Sequence, residues 1–273
     1  MLPECALISD SLSIELIRRK LSSEIVANQI YLFEDVSSTN DVLRRLATEG
    51  AREGTVVLAE EQRAGRGRRG QRWYSPGGMN LYASVLFRPA IPPKAVPVFS
   101  FIVSLALTEA IWAEGLPAAI KWPNDILVER KKVAGTLVEC ATAGERVEHV
   151  IVGIGVNLNV GRDALRTALG DAARGATSLR EVAGRAIDRN AFAATFLSLL
   201  DRWFHTFTER GAEAILAAWR DRDILTGRRV EVREADGTYE GRVLGVNREG
   251  RLVVEDVRGG MHQVLSGEVR LSD

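Results

Sequence analysis

The sequence predicts an α+β fold: a mixed, mostly antiparallel sheet with helices packed on it, followed by a small C-terminal β-barrel. Three observations carry this. Short β-type runs recur through residues 31–157, and the later ones follow one another with such short connections that they must mostly run antiparallel. Helical patterns, one of them a long apolar stretch over 96–113, interrupt the strands. From Gly227 onward the pattern changes to RRVEVRE, YEGRVLGV, RLVVED and MHQVL, short strands separated by the turns DG, REG and RGG.

The elements follow in order. Leu12, Leu16, Ile17 and Leu21 give a helical spacing within a short N-terminal extension, residues 1–30. A strand over 31–36 leads into SSTN, where Ser37, Ser38 or Thr39 can cap the helix implied by Val42, Leu43 and Leu46 and closed by Gly50. A strand over 55–59 precedes GRGRRGQRWYS, and 80–87 (NLYASVLF) resumes the β pattern, so the arginine-rich loop joins two strands. Pro97 fits the first turn of the 96–113 helix. Strands are predicted over 119–122, 126–129, 133–139 and 149–157. A Gly/Ala-rich loop with a short helix comes next, and then two helical segments over 190–210 and 212–220, with Trp203 and Trp219 on core faces. The predicted boundaries are 31–224 for the larger domain and 225–273 for the barrel.

Composition narrows the function. The 273 residues are 46% hydrophobic and 26% charged, and 36 basic side chains balance 36 acidic ones, which argues against a nucleic-acid coat or a membrane-surface protein. Cys5 and Cys140 are far apart and lack metal-ligand spacing, which favours a reduced, cytoplasmic setting over disulfide stapling. No stretch is expected to reach the roughly 18 apolar residues of a membrane span. His149, His205 and His262 are too scattered in sequence for a triad or a zinc site.

The charge is concentrated in GRGRRGQRWYS, which carries Arg66, Arg68, Arg69 and Arg72 with Gly65, Gly67 and Gly70. Such a loop can be a solvated surface, a nucleic-acid contact or an anion cradle. The glycines favour the cradle, because they let backbone N–H groups turn toward an anion while guanidinium forks bind its oxygens. In AIKWPNDILVERKKVAG, Lys121, Asn124, Asp125, Lys131 and Lys132 form either a polar exposed hairpin or a phosphate and Mg²⁺ site. In VIVGIGVNLN, Gly153 and Gly155 mark either a tight strand crossing or a floor on which a flat ligand packs. No GxxxxGK[ST] phosphate loop is present, and GRGRRG lacks the strand-to-helix context of a dinucleotide turn.

Together, SSTN (37–40), EEQRAGRGRRGQRWYSPGGMNLYASV (60–85), KWPNDI (121–126), KKVAGTLVE (131–139) and VGIGVNLN (152–159) resemble the biotin protein ligase family, in that family's order and spacing. The resemblance is strong over 30–160 and looser through the barrel. It implies a fold like that of class II aminoacyl-tRNA synthetases and biotin ligases with an SH3-like barrel. It further implies an ATP-dependent ligase that makes biotinyl-5′-AMP from biotin and MgATP, then transfers biotin to a lysine of a biotin carboxyl carrier protein such as that of acetyl-CoA carboxylase.

Residue by residue, the resemblance places Ser38, Thr39, Asn40, Gln62, Arg66, Gly67, Arg68, Trp73, Lys132, Gly153 and Gly155 around biotin. It places Arg68, Arg69, Lys121, Asn124, Asp125, Lys132 and Asn157 on the ATP side, with Lys132 and Arg68 catalytic and Asp125 holding Mg²⁺. The family's loop folds over ligand. Its bifunctional members carry an N-terminal winged helix that binds operator DNA. Only about 30 residues precede the first predicted catalytic strand here, so DNA-binding repression is not expected. Residues 161–175 match the family poorly, and no base-contacting residue follows from them. A lipoate or octanoate ligase on the same scaffold is the alternative enzyme. An RNA-binding module using the arginine loop and the barrel is the alternative class. Exposed strand edges leave a homodimer open.

Overall fold

The computed structural model of the chain describes residues 11–234 and 237–272. Cys5 and the Asp236 of the DG turn lie outside them. Among the described residues, the first unit is built from β1 (Ile30–Val36), α2 (Thr39–Thr48), β2 (Val56–Gln62), β3 (Leu81–Phe87), α3 (Val98–Ala113), β4 (Ala118–Lys121), β5 (Asp125–Val128), β6 (Lys131–Ala143) and β7 (Arg146–Val156). It is preceded by α1 (Ile14–Lys20) and followed by α4 (Arg162–Leu169), α5 (Leu179–Ala183) and α6 (Arg189–Arg220). The strands form one sheet in the order β1-β2-β3-β7-β6-β5-β4. Only the β1–β2 pair is parallel, because α2 carries the chain back to the same end; the remaining pairs are antiparallel, as expected.

Alternation divides the sheet into two faces. Val56 and Leu58, Leu81, Ala83, Val85 and Phe87, and Val150, Val152, Ile154 and Val156 point toward α3 and α6. Phe87 meets Phe99 of α3 and Phe204 of α6 with ring centroids 4.9 and 4.8 Å away, and each such buried ring contributes roughly 1.5–3 kcal/mol. On the other face, Val57, Ala59, Leu86 and Ile151 pack against Val42, Leu43 and Ala47 of α2. That helix covers only one end of the face, and the uncovered end is where the site lies.

The expectation that no stretch is long and apolar enough to cross a membrane needs correction. Pro93–Ala113 is such a stretch, and it is mostly buried inside the protein. It lies between the sheet and α6, and a helix covered on two sides is apolar all round. The two expected C-terminal helices are both present within α6, separated at Gly211, whose φ of 73° and ψ of −178° leave the helical region. Trp219 is buried, and Trp203 packs at the edge of the core.

The outer edge of β4 is covered. Ile120 donates its N–H to the Arg222 carbonyl at 2.9 Å and accepts from the Ile224 N–H at 3.0 Å. The chain then enters a five-stranded antiparallel sheet, β8 (Arg229–Glu234), β9 (Gly237–Val246), β10 (Leu252–Asp256), β11 (Met261–Val264) and β12 (Glu268–Leu271), in the order β11-β10-β9-β8-β12. The Trp122 indole N–H donates to the Gly250 carbonyl at 3.0 Å, and a Cβ on Gly250 would sit 2.6 Å from the Phe101 ring, so the two units touch through a position that admits no side chain.

The segment between α1 and β1 is fastened to α6 by Asp201, whose carboxylate accepts from the backbone N–H groups of Glu24, Ile25 and Val26 at 2.9, 2.9 and 2.7 Å. Asp201→Ala is expected to lower the unfolding free energy by about 3 kcal/mol, read from urea denaturation. A loss below about 1 kcal/mol would mean that the three amides find other partners.

Candidate active site

The site is a cavity of about 530 Å³ on the uncovered end of the sheet, bounded by the start of α2, the arginine loop, β4 to β7, α4 and one edge of the C-terminal sheet. Every residue that the sequence placed around biotin or on the ATP side lines it.

The first wall is the turn before α2. Ser38 occupies the N-cap position but its side chain makes no capping bond; instead the Gln62 Oε1 accepts from the Thr39 N–H at 2.9 Å and the Thr39 hydroxyl at 3.1 Å. The Gln62 amide nitrogen donates to Ser75 Oγ at 3.2 Å, which links this wall to the end of the loop. Ser84, fully buried on β3, donates its hydroxyl proton to Asn40 Oδ1 at 2.6 Å, and its Oγ also lies 2.7 Å from Thr39 Oγ1. The Asn40 amide nitrogen donates to Glu139 at 2.7 Å. These polar side chains are therefore fixed before any ligand arrives.

The floor is made of glycine. Gly135 on β6 pairs directly with Gly155 on β7, with Gly153 two residues before it on the same face. A Cβ on Gly153 would lie 2.4 Å from Asn40 Oδ1, and one on Gly155 would lie 2.4 Å from the Trp73 ring. The close approach that the sequence assigned to a ligand or a strand crossing is thus made here by two of the protein's own side chains. Trp73 is a wall of the cavity, as expected, and its indole N–H is buried without a partner.

The loop itself is a small hairpin. Gly67 N–H donates to the Gln71 carbonyl at 2.7 Å and Trp73 N–H to the Gly65 carbonyl at 2.9 Å, around a turn in which Arg69 takes a φ of 54°. Gly65 is required at the base, where a Cβ would meet Ser75 Oγ at 2.5 Å and the Trp73 carbonyl at 2.7 Å. Arg68 is half-buried, and burial together with neighbouring Arg69 pushes its pKa down, against the pull of Asp125. Arg66 turns its guanidinium to Asp41 on α2, and its pKa is raised by that hydrogen bond.

The far wall carries the remaining charge. Lys132 Nζ is 2.5 Å from Asp125 Oδ1 and 5.4 Å from the centroid of the Trp73 ring. A bulge opposite Ile126 and Leu127 explains how Lys132 comes to face the site. In a regular strand, residues 132 and 135 would point to opposite faces, and the extra residue returns Lys132 to the side of Gly135. Burial lowers the Lys121 pKa, with Asp125 opposing. Asn124 and Asn157 line the cavity but spend their amide nitrogens on structure, donating to the carbonyls of Thr136 at 2.6 Å and Thr177 at 3.1 Å. No three His, Cys, Asp or Glu side chains group as a metal cluster among the described residues.

The sequence reading left the fourth side blank. Leu165 and Leu169, one helical turn apart on α4, together with Ala172 and Ala176, supply an apolar end beyond Asn157. Their i, i+4 spacing was the available signal. Gly135 was legible by the logic applied to Gly153 and Gly155. The contribution of Gly267, Glu268 and Val269 from the C-terminal sheet left no local mark in the sequence.

A pocket that pairs a fixed polar wall with a ring of arginine and lysine suits an acid to be activated next to a phosphate. Residues 32–157 match the biotin/lipoate A/B protein ligase family, and residues 225–272 match the biotin protein ligase C-terminal domain. The chain is 36% identical over 225 residues to the biotin--[acetyl-CoA-carboxylase] ligase of Paracoccus denitrificans, covering 81% of this chain and 92% of that protein. It is 33% identical over 256 residues to the bifunctional ligase/repressor BirA of Bacillus subtilis, covering 93% and 78%. The structure of the biotin protein ligase from Aquifex aeolicus in complex with biotin and ATP is similar with a TM-score of 0.74 at 26% identity, over 90% of this chain and 100% of that one. The chain belongs to the biotin protein ligase family.

Gly155→Ala is expected to cost about 1–3 kcal/mol of stability while Trp73 is present and close to nothing in a Trp73→Ala background. Denaturation of the four proteins of this cycle checks it, and equal costs in both backgrounds would show that the indole does not rest on the strand.

Proposed function

We propose that this pocket holds biotin over the glycine floor and ATP toward α4, so that the biotin carboxylate attacks the α-phosphate to give biotinyl-5′-AMP and pyrophosphate. A lysine amine of a biotin carboxyl carrier domain then attacks the mixed anhydride, releasing AMP. The observation that carries this reading is the meeting of Arg68, Lys121 and Lys132 around Asp125, between the polar Thr39/Gln62 wall and the apolar Leu165/Leu169 end.

The roles follow from charge and position. A carboxylate and a triphosphate repel, and fixed cations partly withdrawn from water offset that repulsion best. Lys132 exchanges its contact with Asp125 for the oxygens of the carboxylate and α-phosphate. Arg68 approaches the same oxygens from the lid side, and Arg69 and Lys121 face the remaining phosphates. The Thr39, Asn40 and Gln62 dipoles bind the polar ring of biotin, with Ser38 beside them and Gly67 letting the lid backbone approach the carboxyl. The hairpin, with Trp73 at its end, keeps water from the anhydride. Leu165, Leu169, Ala172 and Ala176 pack against the base of the nucleotide.

Asp125 fits Mg²⁺ as a single protein carboxylate, the rest of the shell being phosphate oxygens and water, which is how this ion usually binds with nucleotides. When bound, the ion neutralises phosphate charge. Asn124 and Asn157 act mainly by holding β6 and the 176–179 segment in place. The functional units are residues 31–224 and 225–273. The same reading includes a cytoplasmic location and a homodimer through β1, whose outer edge has no strand partner among the described residues.

Pyrophosphate exchange into ATP tests the reaction: dependence on biotin supports it, and dependence on lipoate would move the assignment to the alternative ligase. Lys132→Ala is expected to reduce adenylate formation by more than 10³-fold; a near-normal rate would remove Lys132 from its role. Arg68→Gly is expected to form some adenylate and lose it to solution, and tight retention would contradict the lid assignment.

A further inference from the structure

We propose that Asp41 is a positioning residue: it is the clasp that holds the arginine lid closed, by taking up Arg66 and leaving Arg68 for the reacting groups. The effect on the adenylate rests on the functional reading above, whereas the clasp itself does not. The Arg66 guanidinium donates through Nη1 to Asp41 Oδ2 at 2.8 Å and through Nη2 to Oδ1 at 2.6 Å, a bidentate pair. Arg44 donates to the same Asp41 Oδ1 at 2.8 Å and to Glu139 Oε2 at 2.8 Å, and Glu139 also accepts from Asn40. Charge therefore runs without a gap from the lid through the first turn of α2 to β6.

The position of Asp41 explains why this contact matters for the site. Thr39 and Asn40, its two predecessors on α2, are part of the polar wall, so the pair fastens the lid to the element that bears the wall. Arg66 Nη2 is farther from its second acidic neighbour, 3.9 Å from Glu139 Oε1, and at the hairpin tip the Arg69 contact to Ser266 Oγ is long at 3.5 Å. Arg66 and Asp41 are also about one-third exposed, at 36% and 31%. An ion pair so placed contributes little to global stability and is weakened by salt. Those properties suit a contact that must form and break in each turnover: it biases the lid toward closure without trapping product.

The test uses the full-length protein and two readouts. In the ligand-free chain, Asp41→Asn is expected to speed tryptic cleavage within residues 66–72 by about five-fold, with the melting temperature unchanged. In the loaded protein it is expected to release biotinyl-adenylate faster by a similar factor while forming it at the normal rate. Asp41→Glu should restore most of the retention. Salt raised from about 0.05 to 0.5 M should accelerate release from the unmodified protein and have little effect on Asp41→Asn. Unchanged cleavage at 66–72, or faster cleavage spread over the whole chain, would overturn the clasp. If the unmodified protein forms no biotin-dependent adenylate, the functional reading fails, and the cleavage result still decides the role of Asp41.

Discussion

Three missing side chains constrain the whole molecule. Gly135, Gly153 and Gly155 leave a bare strip across β6 and β7, and a sheet surface without side chains cannot pack a helix well. The covering helix α2 stops beside the strip, and its first turn, not its body, faces the cavity. A loop covers what the helix does not. The other face of the sheet compensates, with the phenylalanines of β3, α3 and α6 packed in the core beneath the open pocket.

Charge is placed on this frame by backbone devices more than by side-chain choice. Lys132 reaches Asp125 because of a bulge. The hairpin carrying both, β5 to β6, turns through Glu129 and Arg130 at φ of 50° and 63°, left-handed positions filled by residues that rarely take them. Cations from three separate stretches then share one carboxylate, and burial lowers the pKa of Arg68 and Lys121, the cost of preparing a site for anions that arrive later.

Much of this could be read from the sequence, and the omissions have physical causes. Strands and helices announced themselves through period and turn residues, and the break at Gly211 separated two helical patterns before the structure did. Site residues were legible where chemistry and backbone demands coincided, as in GRGRRG and VGIG. Asp41 was invisible because an acidic residue in the first turn of a helix is already explained by the dipole. The apolar end at Leu165 and Leu169 was passed over because an amphipathic helix normally spends its apolar face on the core. The 93–113 stretch reads as a long apolar helix but as too short for a membrane span; it reaches that length, and its apolar composition matches its burial between the sheet and α6.

The strand-like crossing at residues 222–224 makes the join between the two sheets part of the first one. The linker bonds to β4 on both sides of Ile120, and Asp223 ties its far end through the N–H groups of Leu225 and Thr226 at 3.1 and 2.9 Å. Lys121 is the next residue along β4. The linker is consequently bonded along its length and not a free tether: the small domain joins the catalytic sheet at the residue of β4 that precedes a lining residue of the cavity.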